Sequence, residues 1–93
     1  EAKFNNVSVS DLCTKITNKY GISVSTIEHL MCGLFGLGID NVIVEIDNEE
    51  VPILDGSAKL FIEKIISAGI ETSNEPIKII KINNVTLSFI EFR

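Results

Sequence analysis

An apolar stripe with helical spacing, between residues 27 and 37, most constrains what this chain can fold into. Its members recur at i, i+3, i+4, i+7 and i+10: Ile27, Leu30, Met31, Leu34 and Leu37. Ser25 stands where a helix N-cap is expected and has Glu28 three residues later, which is capping-box spacing; Gly38 is suited to end the helix. The pattern predicts a helix with one buried face.

Two glycines, Gly33 and Gly36, lie inside this predicted helix. Each weakens a helix by roughly 1 kcal/mol relative to alanine. We therefore expect them to allow the close approach of a sheet or a neighbouring helix. The surrounding letters, "GLFGLG", do not fit G-x-G-x-x-G and do not precede a helix, so a dinucleotide-binding loop is excluded.

Runs of β-branched or alternating residues on both sides of the helix predict strands. Residues 12–24 fit a hairpin in which "NKYG" supplies the turn. The runs "NVIVEI" at 41–46 and "VPIL" at 51–54 predict two further strands. The alternating stretch 77–92 predicts two more around an Asn-Asn turn.

A second helix is predicted after the turn letters "DGS" at 55–57, and Gly69 is suited to end it. Its buried face is expected to consist of four apolar residues: Phe61, Ile62, Ile65 and Ile66. Together these elements predict an α+β fold, with two helices packed on one face of a mixed, mostly antiparallel sheet.

Composition and charge exclude several classes of function. The 93 residues suffice for one domain, and 13 acidic against 8 basic residues give a net charge of −5 without a basic cluster, so nucleic-acid binding is not expected. The longest apolar run, "LMCGLFGLGI", is about half of the ~20 residues that a membrane span needs. Two cysteines, Cys13 and Cys32, are too few for a disulfide framework and fit a reducing compartment, which predicts the cytoplasm.

The only histidine, His29, follows Glu28 at the predicted helix start. Unpaired N–H groups there carry partial positive charge, which stabilises a carboxylate by about 0.3–1 kcal/mol and favours a neutral imidazole that can ligate a metal. One interpretation is therefore a metal ligand beside a general base. The other is a capping-box glutamate followed by a structural histidine. The chain has neither H-E-x-x-H nor C-x-x-C, so recognised motifs do not complete a zinc site.

Two further side chains near these motifs have simple structural interpretations. Cys32 lies three residues after His29 and could share its face, but a small buried thiol is the expected role. Asp55, in "PILDGSA", is most simply a turn residue or a helix cap.

Three sequence blocks nevertheless stand together in order: "STIEHL" at 25–30, "GLGIDN" at 36–41 and "PILDGSA" at 52–58, preceded by "LCT" at 12–14. In these blocks the chain resembles the N-terminal domain of the UDP-3-O-acyl-N-acetylglucosamine deacetylases, zinc amidohydrolases of lipid A synthesis in Gram-negative bacteria. Three linked blocks are far more specific than any one of them.

The resemblance implies a role for five residues. His29 matches a zinc ligand of the family, and Glu28 matches the general base that activates water. Leu12 and Cys13 match a segment that lines the site near the metal, where substrate groups lie. Asp55 matches an aspartate behind the catalytic groups.

The resemblance also implies that residues 1–93 are a partial N-terminal domain of a two-domain enzyme, with the first strands and the whole second domain absent. The remaining zinc ligands would come from that second domain, so the chain alone is expected to be inactive. The intact enzyme would hydrolyse the N-acetyl group of a UDP-linked, acylated N-acetylglucosamine and release acetate. The alternative is a non-catalytic α+β regulatory or assembly module, in which Glu28 is only a cap and His29 a helix-surface residue.

Overall fold

The computed structural model describes residues 1–76, which form a small antiparallel sheet followed by two helices. The predicted α+β class is therefore confirmed. The two strands predicted within 77–92 lie outside the described residues.

Three short strands build the sheet, after a 3₁₀ turn at Phe4–Asn6: β1 at Val7–Ser8, β2 at Lys15–Thr17 and β3 at Ser23–Val24. They lie in the order β1-β2-β3, and both pairings are antiparallel. Ile16 of the central strand stands opposite Val7 on one side and Val24 on the other. The hairpin predicted over 12–24 is confirmed.

The turn of this hairpin is organised by one side chain. Asn18 Oδ1 accepts hydrogen bonds from the N–H groups of Tyr20, at 2.9 Å, and Ile22, at 3.0 Å. Asparagine side chains commonly mimic a backbone turn in this way. The bonds bring β3 back alongside β2 and place the chain for its entry into the first helix.

Helix α1 spans Glu28–Gly36 and ends as its sequence predicts. Gly38 adopts a positive φ of 67°, the N–H of Ile39 donates to the carbonyl of Leu34 at 2.9 Å, and the N–H of Gly38 donates to that of Phe35 at 3.0 Å. This is the Schellman arrangement, which pairs carbonyls that the helix itself leaves without partners.

Helix α2 spans Lys59–Ala68 and also stops at the predicted glycine. Gly69 has a φ of 92°, and its N–H donates to the carbonyls of Ile65 and Ile66 at 3.1 and 3.2 Å. Of the predicted buried face, Phe61, Ile62 and Ile65 are half-buried, but Ile66 is 59% exposed.

The two helices contact each other through Gly33. A Cβ atom added there would lie 3.4 Å from Cβ of Phe61 and 3.5 Å from Cγ1 of Ile62. The prediction that a glycine permits close helix approach is thus confirmed for Gly33. It is not confirmed for Gly36, since no atom of residues 1–76 would lie within 4 Å of a Cβ added there.

The strands predicted at 41–46 and 51–54 are not formed within residues 1–76. A single parallel bridge pairs Glu50 with Ser25, and residues 41–46 have no strand partner in this range. The β-branched residues of this run have side chains that suit a paired, half-buried strand. A strand forms only if another segment pairs with it, and β-propensity does not provide that segment.

An apolar groove of about 1040 Å³ lies between the sheet, α1 and the segment 39–46. Its floor contains the buried side chains Ile27, Leu34 and Val51. Within the described residues, no helix combines the length and the apolar character that crossing a membrane requires.

Candidate active site

The Glu28 side chain is held at the junction of the sheet and α1. The N–H of Thr14, just before β2, donates to Glu28 Oε2 at 3.0 Å, and the N–H of Ile27 donates to the Thr14 carbonyl at 3.3 Å. The predicted capping box is wrong, because the Ser25 N–H donates to the carbonyl of Glu49 at 2.9 Å and α1 begins without a side-chain cap. Glu28 therefore bonds to the Thr14 N–H just before β2 and not to the Ser25 amide.

Hydrogen bonding keeps Glu28 in its charged form. Its own backbone N–H is the largest cause that lowers the pKa of the carboxyl, with further lowering by the Thr14 N–H and by the charge of His29. Partial burial opposes these effects. At neutral pH the group is an ionised carboxylate of fixed orientation, which is what a general base requires.

His29 is half-buried, and its Nδ1 atom is shielded from solvent without a hydrogen-bond partner in residues 1–76. Leaving a buried polar atom without a partner costs roughly 1–3 kcal/mol, so such an atom is uncommon in folded proteins. A partner supplied from outside this range, on either ring nitrogen, would give the imidazole the fixed tautomer and orientation of a ligand.

The donor set for a zinc ion is incomplete in this part of the molecule. Catalytic zinc usually takes three protein ligands. No group of three His, Cys, Asp or Glu side chains in residues 1–76 is arranged to hold a metal. An imidazole with a nitrogen that has no hydrogen-bond partner in residues 1–76 suits zinc, so these residues fit one ligand of such a site and leave the others to be supplied elsewhere.

Leu12 and Cys13 directly precede Thr14, whose N–H donates to the Glu28 carboxylate. Leu12 is 97% exposed, whereas Cys13 is half-buried with Sγ 3.0 Å from the hydroxyl oxygen of Ser10. The Ser10 hydroxyl, followed by the backbone N–H of Thr26, lowers the pKa of the Cys13 thiol. The role of this segment in substrate binding stays a prediction.

Asp55 has the geometry of a turn residue. Its Oδ1 accepts hydrogen bonds from the N–H of Ser57 at 3.1 Å and from the Ser57 hydroxyl at 2.9 Å. The Ser57 hydroxyl oxygen in turn accepts from the N–H of Lys59 at 3.1 Å, at the first residue of α2. The predicted position of Asp55 behind the catalytic groups stays a prediction. Cys32 is exposed, so its expected role as a buried thiol is wrong.

The structure adds Thr26, which sequence patterns do not single out. It is only 5% exposed and has a φ of 57°, in the left-handed region that β-branched residues rarely occupy. Such a conformation costs on the order of 1–3 kcal/mol and persists only where surrounding contacts impose it. In a sequence, glycine or asparagine indicates a position with left-handed backbone angles. A threonine gives no such indication.

Comparison with known proteins assigns the chain to a family. The model of a family described as LpxC, UDP-3-O-acyl N-acetylglycosamine deacetylase, matches residues 1–89. A protein named UDP-3-O-acyl-N-acetylglucosamine deacetylase from Pseudoalteromonas atlantica is 54% identical over 81 residues, which are 87% of this chain and 27% of that protein.

Relatives of the same name give similar values. The Pasteurella multocida protein is 51% identical over 87% of this chain, and one from Haemophilus influenzae (strain PittEE) is 50% identical over 84%. The chain spans about a quarter of the length of these relatives, 27% and 26% respectively. With nearly its whole length matched by the family model, this chain belongs to the UDP-3-O-acyl N-acetylglycosamine deacetylase family.

Proposed function

We propose that this chain supplies the general base and one metal ligand of a zinc-dependent deacetylase. The substrate would be UDP-3-O-acyl-N-acetylglucosamine, whose N-acetyl group is hydrolysed to acetate in the synthesis of lipid A. Family membership supports the substrate class. The observation that carries the chemistry is the Glu28 carboxylate, fixed on the Thr14 N–H beside an imidazole with an unsatisfied nitrogen.

Glu28 would act as the base in this reaction. The attacking water would give a proton to the carboxylate as its oxygen adds to the acetamide carbonyl carbon. The C–N bond would then break as that proton is passed on to the departing nitrogen, which leaves acetate and a free amine. General base catalysis of this kind contributes typically 10²- to 10⁴-fold. The Thr14 N–H already fixes the orientation of the Glu28 carboxylate, so the reaction would not have to supply the entropic cost of ordering this side chain.

His29 would act as a ligand through its imidazole. A bound zinc ion would supply Lewis acidity and would strongly lower the pKa of a water molecule, toward about 7. No group of three potential ligands lies within residues 1–76, so further ligands would come from outside them. We also place the protein in the cytoplasm, where the free thiols of Cys13 and Cys32 would remain reduced.

Replacement of Glu28 tests the proposal. In the complete protein encoded by the reading frame that contains this chain, Glu28→Gln should lower kcat by about 10²- to 10⁴-fold while zinc content stays unchanged. The amide keeps the size of the side chain and an oxygen for the Thr14 N–H, but it cannot take the proton. Deacetylation is measured as acetate release, and zinc by elemental analysis.

Two matched variants sharpen this experiment. Glu63→Gln, on the exposed side of α2, removes the same charge and should leave kcat unchanged. His29→Gln should instead remove zinc. Loss of zinc in Glu28→Gln would make Glu28 a ligand and contradict its role as base, while a wild-type protein with neither zinc nor turnover would favour the non-catalytic regulatory or assembly module.

A further inference from the structure

The residues just before Glu28 are tied to a second segment of the chain, 49–51. The Ser25 N–H donates to the Glu49 carbonyl at 2.9 Å, and the Val51 N–H donates to the Ser25 carbonyl at 3.1 Å. Val51 is 3% exposed, so this attachment is anchored in the core. Ser25 is thereby fixed to a part of the molecule that contains neither β2 nor α1.

Two residues later the chain is tied elsewhere. The Ile27 N–H donates to the Thr14 carbonyl, and the Thr14 N–H donates to Glu28 Oε2. Thr26 is the single residue between these two attachments, and it joins them in the left-handed conformation. The direction in which α1 leaves, and with it the position of its first residue, depends on that one pair of backbone angles.

One side-chain contact stabilises this conformation. The Thr26 hydroxyl donates to Glu50 Oε1 at 2.6 Å, the length of a strong hydrogen bond to a charged acceptor. Thr26 is buried whereas Glu50 lies at the surface, so the carboxylate covers the turn from outside. Glu50 itself makes no hydrogen bond to Glu28 or His29 among the described side chains.

We propose that Glu50 is a positioning residue for the general base. By accepting a hydrogen bond from the Thr26 hydroxyl, it stabilises the left-handed turn that places Glu28 within reach of the Thr14 N–H. This inference rests on the proposed function for its effect on catalysis. Its structural part, the dependence of the Thr14–Glu28 contact on Glu50, does not.

Four variants of the complete protein test the inference by kinetics. Glu50→Ala and Thr26→Val each remove one partner of the bond and should lower kcat by about 10- to 100-fold, with KM and zinc content unchanged. Thr26→Ser keeps the hydroxyl and should restore most of the activity that valine loses. Glu45→Ala, an exposed glutamate outside these contacts, is the matched control and should behave as wild type.

Each kcat is divided by the fraction of folded protein at the assay temperature, which is measured by thermal unfolding. If Glu50 only stabilised the fold, its replacement would lower the apparent kcat only by lowering this folded fraction. A Glu50→Ala protein with the kcat of Glu45→Ala overturns the inference. So does a loss that the unfolded fraction fully explains, or a rise in KM at constant kcat.

Amide hydrogen exchange at Thr14 separates this inference from the proposed function. In folded Glu50→Ala, protection of the Thr14 N–H should fall, while the Ile16 amide within the sheet keeps its protection. If the wild-type protein shows no deacetylation, the proposed function fails, and this measurement still decides the structural part. Unchanged Thr14 protection in both Glu50→Ala and Thr26→Val overturns it.

Discussion

At the scale of single residues, the candidate site depends on partners that are distant in sequence. Glu28 bonds to a main-chain donor 14 residues earlier, and Thr26 bonds to a carboxylate 24 residues later. Residue type alone predicted that Glu28 and His29 were neighbours with suitable chemistry. It could not predict that the Ser25 N–H is already taken by Glu49, which leaves Glu28 available to the sheet.

Asp55 has two interpretations at this scale, and pH distinguishes them. The Ser57 hydroxyl and then the Ser57 N–H lower the pKa of the Asp55 carboxyl from its ordinary 3.8. A carboxyl with a lowered folded-state pKa adds stability above its unfolded value, and that stability is lost as pH falls through the folded value.

Asp55→Asn should therefore lower the unfolding midpoint at pH 6 and much less at pH 3, as measured by urea unfolding of the complete protein across this range. Ser57→Ala should show the same pH dependence, and the double variant should be less than additive because the partners are shared. An equal effect of Asp55→Asn at both pH values, accompanied by a loss of kcat, would instead favour the position behind the catalytic groups.

At the scale of elements, the C-terminal ends of the helices were better predicted than the strands. Gly38 and Gly69 stop their helices through positive φ angles that glycine adopts without a steric penalty. This preference is local, so sequence reports it directly. The β-branched run 41–46 is different, since a strand needs hydrogen bonds from another segment and residues 1–76 provide none for it.

The helix pair yields a prediction with an internal control. Gly33→Leu should destabilise the protein by about 1–3 kcal/mol, because the atoms beyond Cβ would have to enter space held by Phe61 and Ile62. Gly36→Leu has the same chemistry and gains helix propensity, but an added side chain there starts in open space, so no such loss is expected. Free energies of unfolding from urea titration give the comparison, and equal values for both variants would contradict the close helix contact.

At the scale of the whole molecule, few of the apolar side chains in residues 1–76 are buried, although 45% of the residues in the chain are hydrophobic. Ile27, Leu34 and Val51 are the buried apolar side chains of this range, whereas Phe35 and Ile43, which line the groove, are 87% and 89% exposed. An apolar surface of this extent marks a place where more protein, a ligand or a partner is accommodated.

The incomplete ligand set gives a prediction at the same scale. The 93-residue chain by itself, supplied with zinc, should release no acetate from the substrate, because its one histidine cannot hold a catalytic ion without further ligands. The complete protein, assayed alongside at equal concentration, is the positive control. Clear turnover by the chain alone would show that its own residues complete the site.

The sequence by itself determined the α+β class, the C-terminal ends of both helices, the hairpin and the adjacency of a carboxylate and an imidazole, because each follows from local backbone preference or from side-chain chemistry. Only the tertiary structure decided where Glu28 points. That direction depends on the Thr14 N–H, on the left-handed Thr26 and on the segment that carries Glu50. Contacts between distant segments can impose a conformation that a residue's own preference opposes, and such a conformation leaves no periodic or compositional pattern to read.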